Sequence, residues 1–168
     1  MEQKAFSSEV ATGSREENAS NAWTAPRKVQ SVLFMCAMNA VRSPMAEALA
    51  KHFFGKSIYV QSAGARKGEI DGFAREVLDE IGIDLSRHKP KSVEELEEWE
   101  GLNFDLIVSL SPEAHHRALE LTRTLAAEVE YWPTMDPTLV QGSREQKLDA
   151  YRDLRDGLTR RIKERLKS

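Results

Sequence analysis

The sequence predicts an α/β fold: three layers, α/β/α, around a four-stranded parallel sheet. Three observations predict it. Short apolar runs alternate with longer amphipathic stretches from residue 29 onward. Helix-start signals, a serine followed by proline or by Glu/Gln three residues on, stand between the runs. The alternating order of strand and helix favours parallel strands joined by crossovers.

The elements follow in order. Residues 32–35 (Val-Leu-Phe-Met) form a compact run that suits a buried strand. Ser43-Pro44 then reads as an N-cap with proline at the first helical position, ahead of Met45, Ala46, Leu49, Ala50 and Phe53 at helical spacing. Ile58-Tyr59-Val60 is the second strand. Phe73, Val77, Leu78 and Ile81 mark a helix that Gly82 is placed to end. Ser92 and Glu95 form a capping box ahead of a charged helix, whose run 94–100 reads as a solvated face. Residues 104–110 are the third strand, and Ser111-Pro112 opens the helix of Ala114, Ala118, Leu121 and Leu125. Residues 129–132 are a weaker fourth strand. Ser143 and Gln146 box the start of a long helix with Leu148, Tyr151, Leu154, Leu158, Ile162 and Leu166 on one face.

The 168 residues suit one domain. Residues 1–27, rich in Ser, Glu, Ala, Asn and Thr, have no sustained apolar period and are expected to be a disordered tail, with the domain at 28–168. Trp23 is the exception in the tail, either docked loosely on the domain or exposed. The net charge of -3 argues against a nucleic-acid binder, which needs a basic face. No apolar run approaches the roughly 20 residues that span a bilayer, so no membrane association is expected. The start carries no secretory pattern, and the expected compartment is the cytoplasm. Cys36 is the only cysteine, so an intrachain disulfide is impossible. The four histidines show no zinc-ligand spacing, and adjacent His115-His116 read as solvated, since neighbours on a helix do not share a face. The sequence is silent on oligomeric state.

In folds of this class ligands bind beyond the carboxyl ends of the strands. There the sequence reads Cys36-Ala37-Met38-Asn39-Ala40-Val41-Arg42-Ser43, running from the first strand into a helix. A loop of this length can turn its N–H groups inward and, with the helix start, cradle an anion. Arg42 can grip two oxygens of a tetrahedral oxyanion. The same donors and charge stabilise a thiolate at Cys36, giving a nucleophile aimed at a bound phosphate. The bland reading is an inert buried cysteine; the strand–Cys–Arg–Ser–helix arrangement favours the phosphate loop. Transfer to cysteine needs a proton for the leaving group. Asp136-Pro137, after the fourth strand, is the candidate acid, although Asp-Pro also begins ordinary turns.

With these residues in place the sequence resembles the low-molecular-weight protein-tyrosine phosphatase family, which shares its fold with thiol-dependent arsenate reductases. Residues 32–49, VLFMCAMNAVRSPMAEAL, are similar to the family's first strand, phosphate loop and first helix. Gln61-Ser62-Ala63-Gly64, Gly82-Ile83-Asp84-Leu85-Ser86, Phe104-Asp105-Leu106-Ile107 and Asp136-Pro137 match further on. The resemblance implies phosphate-monoester hydrolysis through a cysteinyl-phosphate on Cys36. It implies phosphate binding by the amides of residues 37–43 with Arg42, and Asp136 as acid then base. It also implies support of the loop by Asn39, Ser43, Ser62 and His88, where the bland readings are a turn asparagine, an N-cap, a strand-end hydroxyl and a surface histidine. It implies no metal and no cofactor. The expected partner is a phosphorylated protein, phosphotyrosine first, or a small phosphate ester.

The departures bear on substrate. The second cysteine that often stands beside the family's loop arginine is Val41 here, so disulfide protection of Cys36 is absent. Aromatic residues that often follow Asp-Pro are Thr138 and Leu139, and the loop after Ser-Ala-Gly is short and basic, with Arg66 and Lys67 either drawing an acidic substrate or simply solvated. Tyr131 and Trp132 could supply an aromatic wall or lie in the core. The arsenate reductase style of residues 131–156 keeps reduction of arsenate, with an external thiol, as one alternative; Ser111 stands where a resolving cysteine is common. A phosphate-binding module without turnover is the other.

Overall fold

The computed structural model describes residues 28–167; the expectation of a disordered tail over 1–27, and the position of Trp23, lie outside the described residues. The chain runs β1 (Ser31–Cys36), α1 (Arg42–Phe54), β2 (Tyr59–Gly64), α2 (Gly72–Asp79), α3 (Val93–Glu100), β3 (Leu106–Ser109), α4 (Pro112–Leu121), β4 (Glu128–Tyr131), a short 3-10 turn (Pro137–Leu139) and α5 (Arg144–Leu166). The four strands form one sheet in the order β2-β1-β3-β4, every pair parallel.

The pleat of β1 divides the interior in two. Successive side chains point to opposite faces of a strand. Val32, Phe34 and Cys36 therefore join the core under α1, α2 and α5, while Leu33 and Met35 join the one under α3 and α4. Both faces are covered, which is why this strand is a continuous apolar run rather than an alternating one. The predicted stripe of α5 is buried along its length, from Leu148 to Leu166. Salt bridges from Arg152 and Arg155 to Glu80 tie α5 to the end of α2, and the Arg152 guanidinium holds the Glu80 carboxyl down to about 2.

Four details differ from the sequence expectations. The second strand starts at Tyr59 and runs on through Ser62-Ala63-Gly64 to pair beside Cys36. Helix α1 begins at Arg42 with Val41 at its N-cap, so Pro44 sits two residues inside the helix and Ser43 is free for another bond. Helix α2 stops at Asp79; Gly82 still takes the left-handed conformation expected of it (φ 79°), but in the turn beyond, where Ile81 is exposed. The side chain of His115 is not solvated: it stacks on Tyr131 at 4.6 Å and bonds Ser109 Oγ through Nδ1. Both capping boxes and the Ser111 cap form as the spacing predicts.

Candidate functional site

The loop from Cys36 into α1 is held from outside by its own carbonyls. The carbonyl oxygens of Cys36, Ala37, Met38 and Ala40 accept the amides of Ala65, Arg66, Gly68 and Asp71 at 2.8–3.1 Å. In a planar trans peptide the following N–H points opposite to the carbonyl. Tying these carbonyls to the 65–71 segment therefore turns the amides of Ala37, Met38, Asn39 and Val41 toward the concave side, which is the polarity an anion cradle needs. Gly64 makes the close approach possible: a Cβ there would sit 2.7 Å from the Asn39 nitrogen and 2.8 Å from the Met38 carbonyl carbon. Asn39 takes φ 53°, a left-handed conformation asparagine tolerates better than most residues.

Cys36 lies at the bottom of this loop with its side chain buried. Ser43 Oγ stands 2.9 Å from Cys36 Sγ, and the Ser43 amide donates to the same sulfur at 3.4 Å. Asn39 fixes which way the Ser43 proton points. Its Nδ2 donates to Ser43 Oγ (2.9 Å) and to Ser62 Oγ (3.0 Å), so Ser43 is left to donate to sulfur. The Asn39 Oδ1 accepts from the Lys91 amide (3.0 Å) and meets His88 Nε2 (3.0 Å), which places the proton of neutral His88 on Nε2. Asn39, Ser43, Ser62 and His88, expected separately from the resemblance, are thus one connected set behind the loop.

Sequence reasoning missed the group that anchors the set. Glu47 is a buried carboxylate on α1 that accepts from Ser62 Oγ, pairs with Lys51 Nζ and faces His88 Nδ1 at 3.6 Å. The signal was available: Glu47 is four residues after Ser43, hence one turn along the same helix face. Burial pushes the His88 imidazole below the ordinary histidine range, against the opposing pull of Glu47. Burial likewise lowers Lys91.

Arg42 opens α1. Its Nη1 donates to the carbonyl of Thr134 at 2.8 Å and, at the limit of a hydrogen bond, to that of Leu110 at 3.5 Å. The carboxyl ends of β3 and β4 therefore converge on the guanidinium, and Asp136 follows Thr134 by two residues. Asp136 Oδ1 accepts from the Thr138 amide (3.0 Å) and Thr138 Oγ1 (2.7 Å), capping the turn of Pro137–Leu139. Opposite, Tyr151 of α5 donates to Asp71 Oδ2 at 2.9 Å; burial, Asp71 and the Asp136 charge all push its phenol upward.

The rim resolves two alternatives. Arg66 forms a bidentate pair with Glu113 (2.9 and 2.8 Å) and Lys67 pairs with Glu95 (3.0 Å), so the basic loop is solvent-exposed and its charge is paired where it stands. Trp132 is core, edge-on to Phe34, and Tyr131 is taken up by His115, so neither supplies a free aromatic wall. Among the described residues no group of three His, Cys, Asp or Glu is placed to hold a metal, and no helix is long and apolar enough to cross a membrane.

Comparison with known proteins shows the family and the fold. The family model described as low molecular weight phosphotyrosine protein phosphatase matches residues 31–167. An arsenate reductase of Bacillus subtilis is 31% identical over 134 residues, covering 79% of this chain and 92% of the relative. The structure of a low molecular weight protein tyrosine phosphatase from T. tengcongensis superposes with a TM-score of 0.64 at 26% identity, over 79% of this chain and 95% of that one. The YwlE arginine phosphatase superposes at 0.63 with 26% identity, over 79% and 91%.

Proposed function

We propose that this chain, which belongs to the low molecular weight phosphotyrosine protein phosphatase family, is a cysteine-dependent phosphatase hydrolysing phosphate monoesters, with protein phosphotyrosine first among its substrates. One observation carries the choice of hydrolysis over reduction. Cys36 is the only cysteine of the chain, so no disulfide can be passed along it; hydrolysis needs none, and Cys36 is bonded to Ser43 while Arg42 bonds the Thr134 carbonyl two residues before Asp136.

In this reading Cys36 Sγ, as thiolate, attacks phosphorus in line and the bond to the leaving oxygen breaks. Protonated Asp136 gives that oxygen its proton. The inward amides and Arg42 hold the three equatorial oxygens as their charge redistributes. Ser43 Oγ, oriented by Asn39, stabilises the thiolate before attack and after release. Asp136, now a carboxylate, takes a proton from water as its oxygen attacks phosphorus. The sulfur–phosphorus bond then breaks, freeing phosphate and restoring the thiolate. Met38, Met135 and Leu139 are exposed apolar residues of the loop and the segment after β4, and in this reading they pack against the tyrosyl ring in place of aromatic side chains.

The second reading is arsenate reduction with an external thiol, favoured by the arsenate reductase identity of the Bacillus subtilis relative. Hydrolysis of p-nitrophenyl phosphate from pH 4 to 8 without thiol decides between them. Turnover abolished in Cys36→Ser and reduced about 10²–10⁴-fold in Asp136→Asn is the expected result. Folded, reduced protein without turnover overturns it: arsenate reduction on adding a small thiol then selects the reductase, and phosphate binding alone selects a non-catalytic module. Phosphotyrosine and phosphoarginine peptides compared by kcat/KM then fix the substrate.

A further inference from the structure

Helix α5 carries a glycine at position 157, well inside its 23 residues. Apart from proline, glycine is the least favourable residue for a helix interior. A helical glycine usually lets another backbone come close. Here none does: a Cβ at 157 would meet only the end of the Arg160 side chain, at 3.8 Å. The missing side chain instead leaves room in a cavity of about 350 Å³ between α5 and the segment that follows β4. Trp132, Met135, Pro137 and Leu158 give it apolar walls, and Arg160 and Arg161 stand at it against the single carboxylate of Asp153. The Arg161 guanidinium lies over the Trp132 ring at 5.0 Å, which seats that cation at the cavity. A volume of this size is in the range of small-molecule sites, apolar with a few polar groups.

We propose that this cavity is a second ligand site, taking a small apolar molecule with an anionic group, and that its occupancy is felt at Arg42. The cavity fixes the ligand class: a small apolar body fits against the bare face at Gly157, between Met135, Pro137 and Leu158, and the excess of guanidinium over carboxylate calls for negative charge. The coupling follows from shared backbone. Thr134 lines the cavity, and its carbonyl accepts from Arg42 Nη1 at 2.8 Å. A ligand against Thr134 and Pro137 moves that carbonyl relative to a guanidinium that does not itself line the cavity. The proposal does not rest on hydrolysis as the activity.

The test uses the full chain and 8-anilinonaphthalene-1-sulfonate, a flat apolar anion, titrated under heteronuclear NMR. Saturable shifts are expected at the Trp132 indole N–H, the Gly157 amide and the Arg42 Nε–H. Gly157→Leu, whose Cβ has room, extends its side chain into the cavity, gains helix propensity and is expected to weaken binding at least tenfold. Arg160→Gln/Arg161→Gln, with the cavity open but its positive charge removed, is expected to weaken it by a similar factor. Shifts spread over other surfaces, binding undiminished in Gly157→Leu, or an Arg42 signal that does not move overturns the proposal. Failure of aryl phosphate hydrolysis in the same preparation would count against the phosphatase reading and leave these signals unaffected.

Discussion

The 36–43 loop and the 134–139 segment meet at one guanidinium, yet they are held in opposite ways. The loop is locked from behind by buried, long-range bonds: Asn39 is fully buried and joins β2, the 88–91 turn and α1 through four hydrogen bonds. The acid-bearing segment is held mainly by bonds to its own neighbours, and Met135 and Leu139 beside Asp136 are 71% and 75% exposed. The difference teaches a division of labour. On the proposed function, holding a dianionic phosphoryl group demands fixed donors, which a preorganised shell supplies. Proton delivery and contact with the rest of a substrate tolerate a segment that adapts.

If that division is right, changes behind the loop should cost stability and activity together, while changes in the segment should cost activity alone. The largest effect is expected from Asn39→Ala. It leaves the His88 Nε2–H and the Lys91 amide without their acceptor and Ser43 without its orienting donor, a loss of about 3 kcal/mol, read by urea unfolding, together with loss of most turnover. Gly64→Ala comes next. Its Cβ meets backbone atoms of Met38 and Asn39 that have no room to give, and overpacking of this kind costs about 1–3 kcal/mol. A Gly64→Ala protein with wild-type stability and turnover would break the account of how the loop is seated.

Glu47→Gln removes the charge that faces His88 and Lys51 while keeping an acceptor for Ser62 Oγ; a smaller loss of about 1–2 kcal/mol is expected, measured by the same unfolding curve. His88 adds a pH signature. Below its unfolded value of 6.5 the unfolded chain protonates this histidine before the folded chain does. The unfolded state then binds the additional proton, and stability falls as pH drops from 7 to 5. His88→Gln, whose amide can still donate to Asn39 Oδ1, should flatten that fall. The smallest effect belongs to Thr138→Val. Losing the hydroxyl bond to Asp136 should lower kcat less than about tenfold, well below the roughly 10²–10⁴ of a whole acid, with no change in unfolding midpoint. A destabilised Thr138→Val would show the segment to be as locked as the loop.

By itself the sequence determined the layering, the loop and the cysteine that opens it. Each is written in local signals: apolar period, cap residues, and a cysteine and an arginine within one turn-and-helix segment. Helix starts were legible at Ser92, Ser111 and Ser143, where a side chain bonds a backbone amide three residues on. The start of α1 was not, because Ser43 gives up the capping role to bond Cys36, a partner in the preceding strand. Tertiary structure alone decided the rest. Glu47 resembles a surface helix carboxylate until Ser62 and His88, from two other elements, close over it. Arg66 and Lys67 read as free charge until α4 and α3 bring Glu113 and Glu95 to them. Arg42 and the Thr134 carbonyl, 92 residues apart, meet only because β1, β3 and β4 lie side by side and parallel. Local patterns fix backbone conformation over a few residues; burial, charge pairing and the convergence of distant loops exist only once the sheet has assembled.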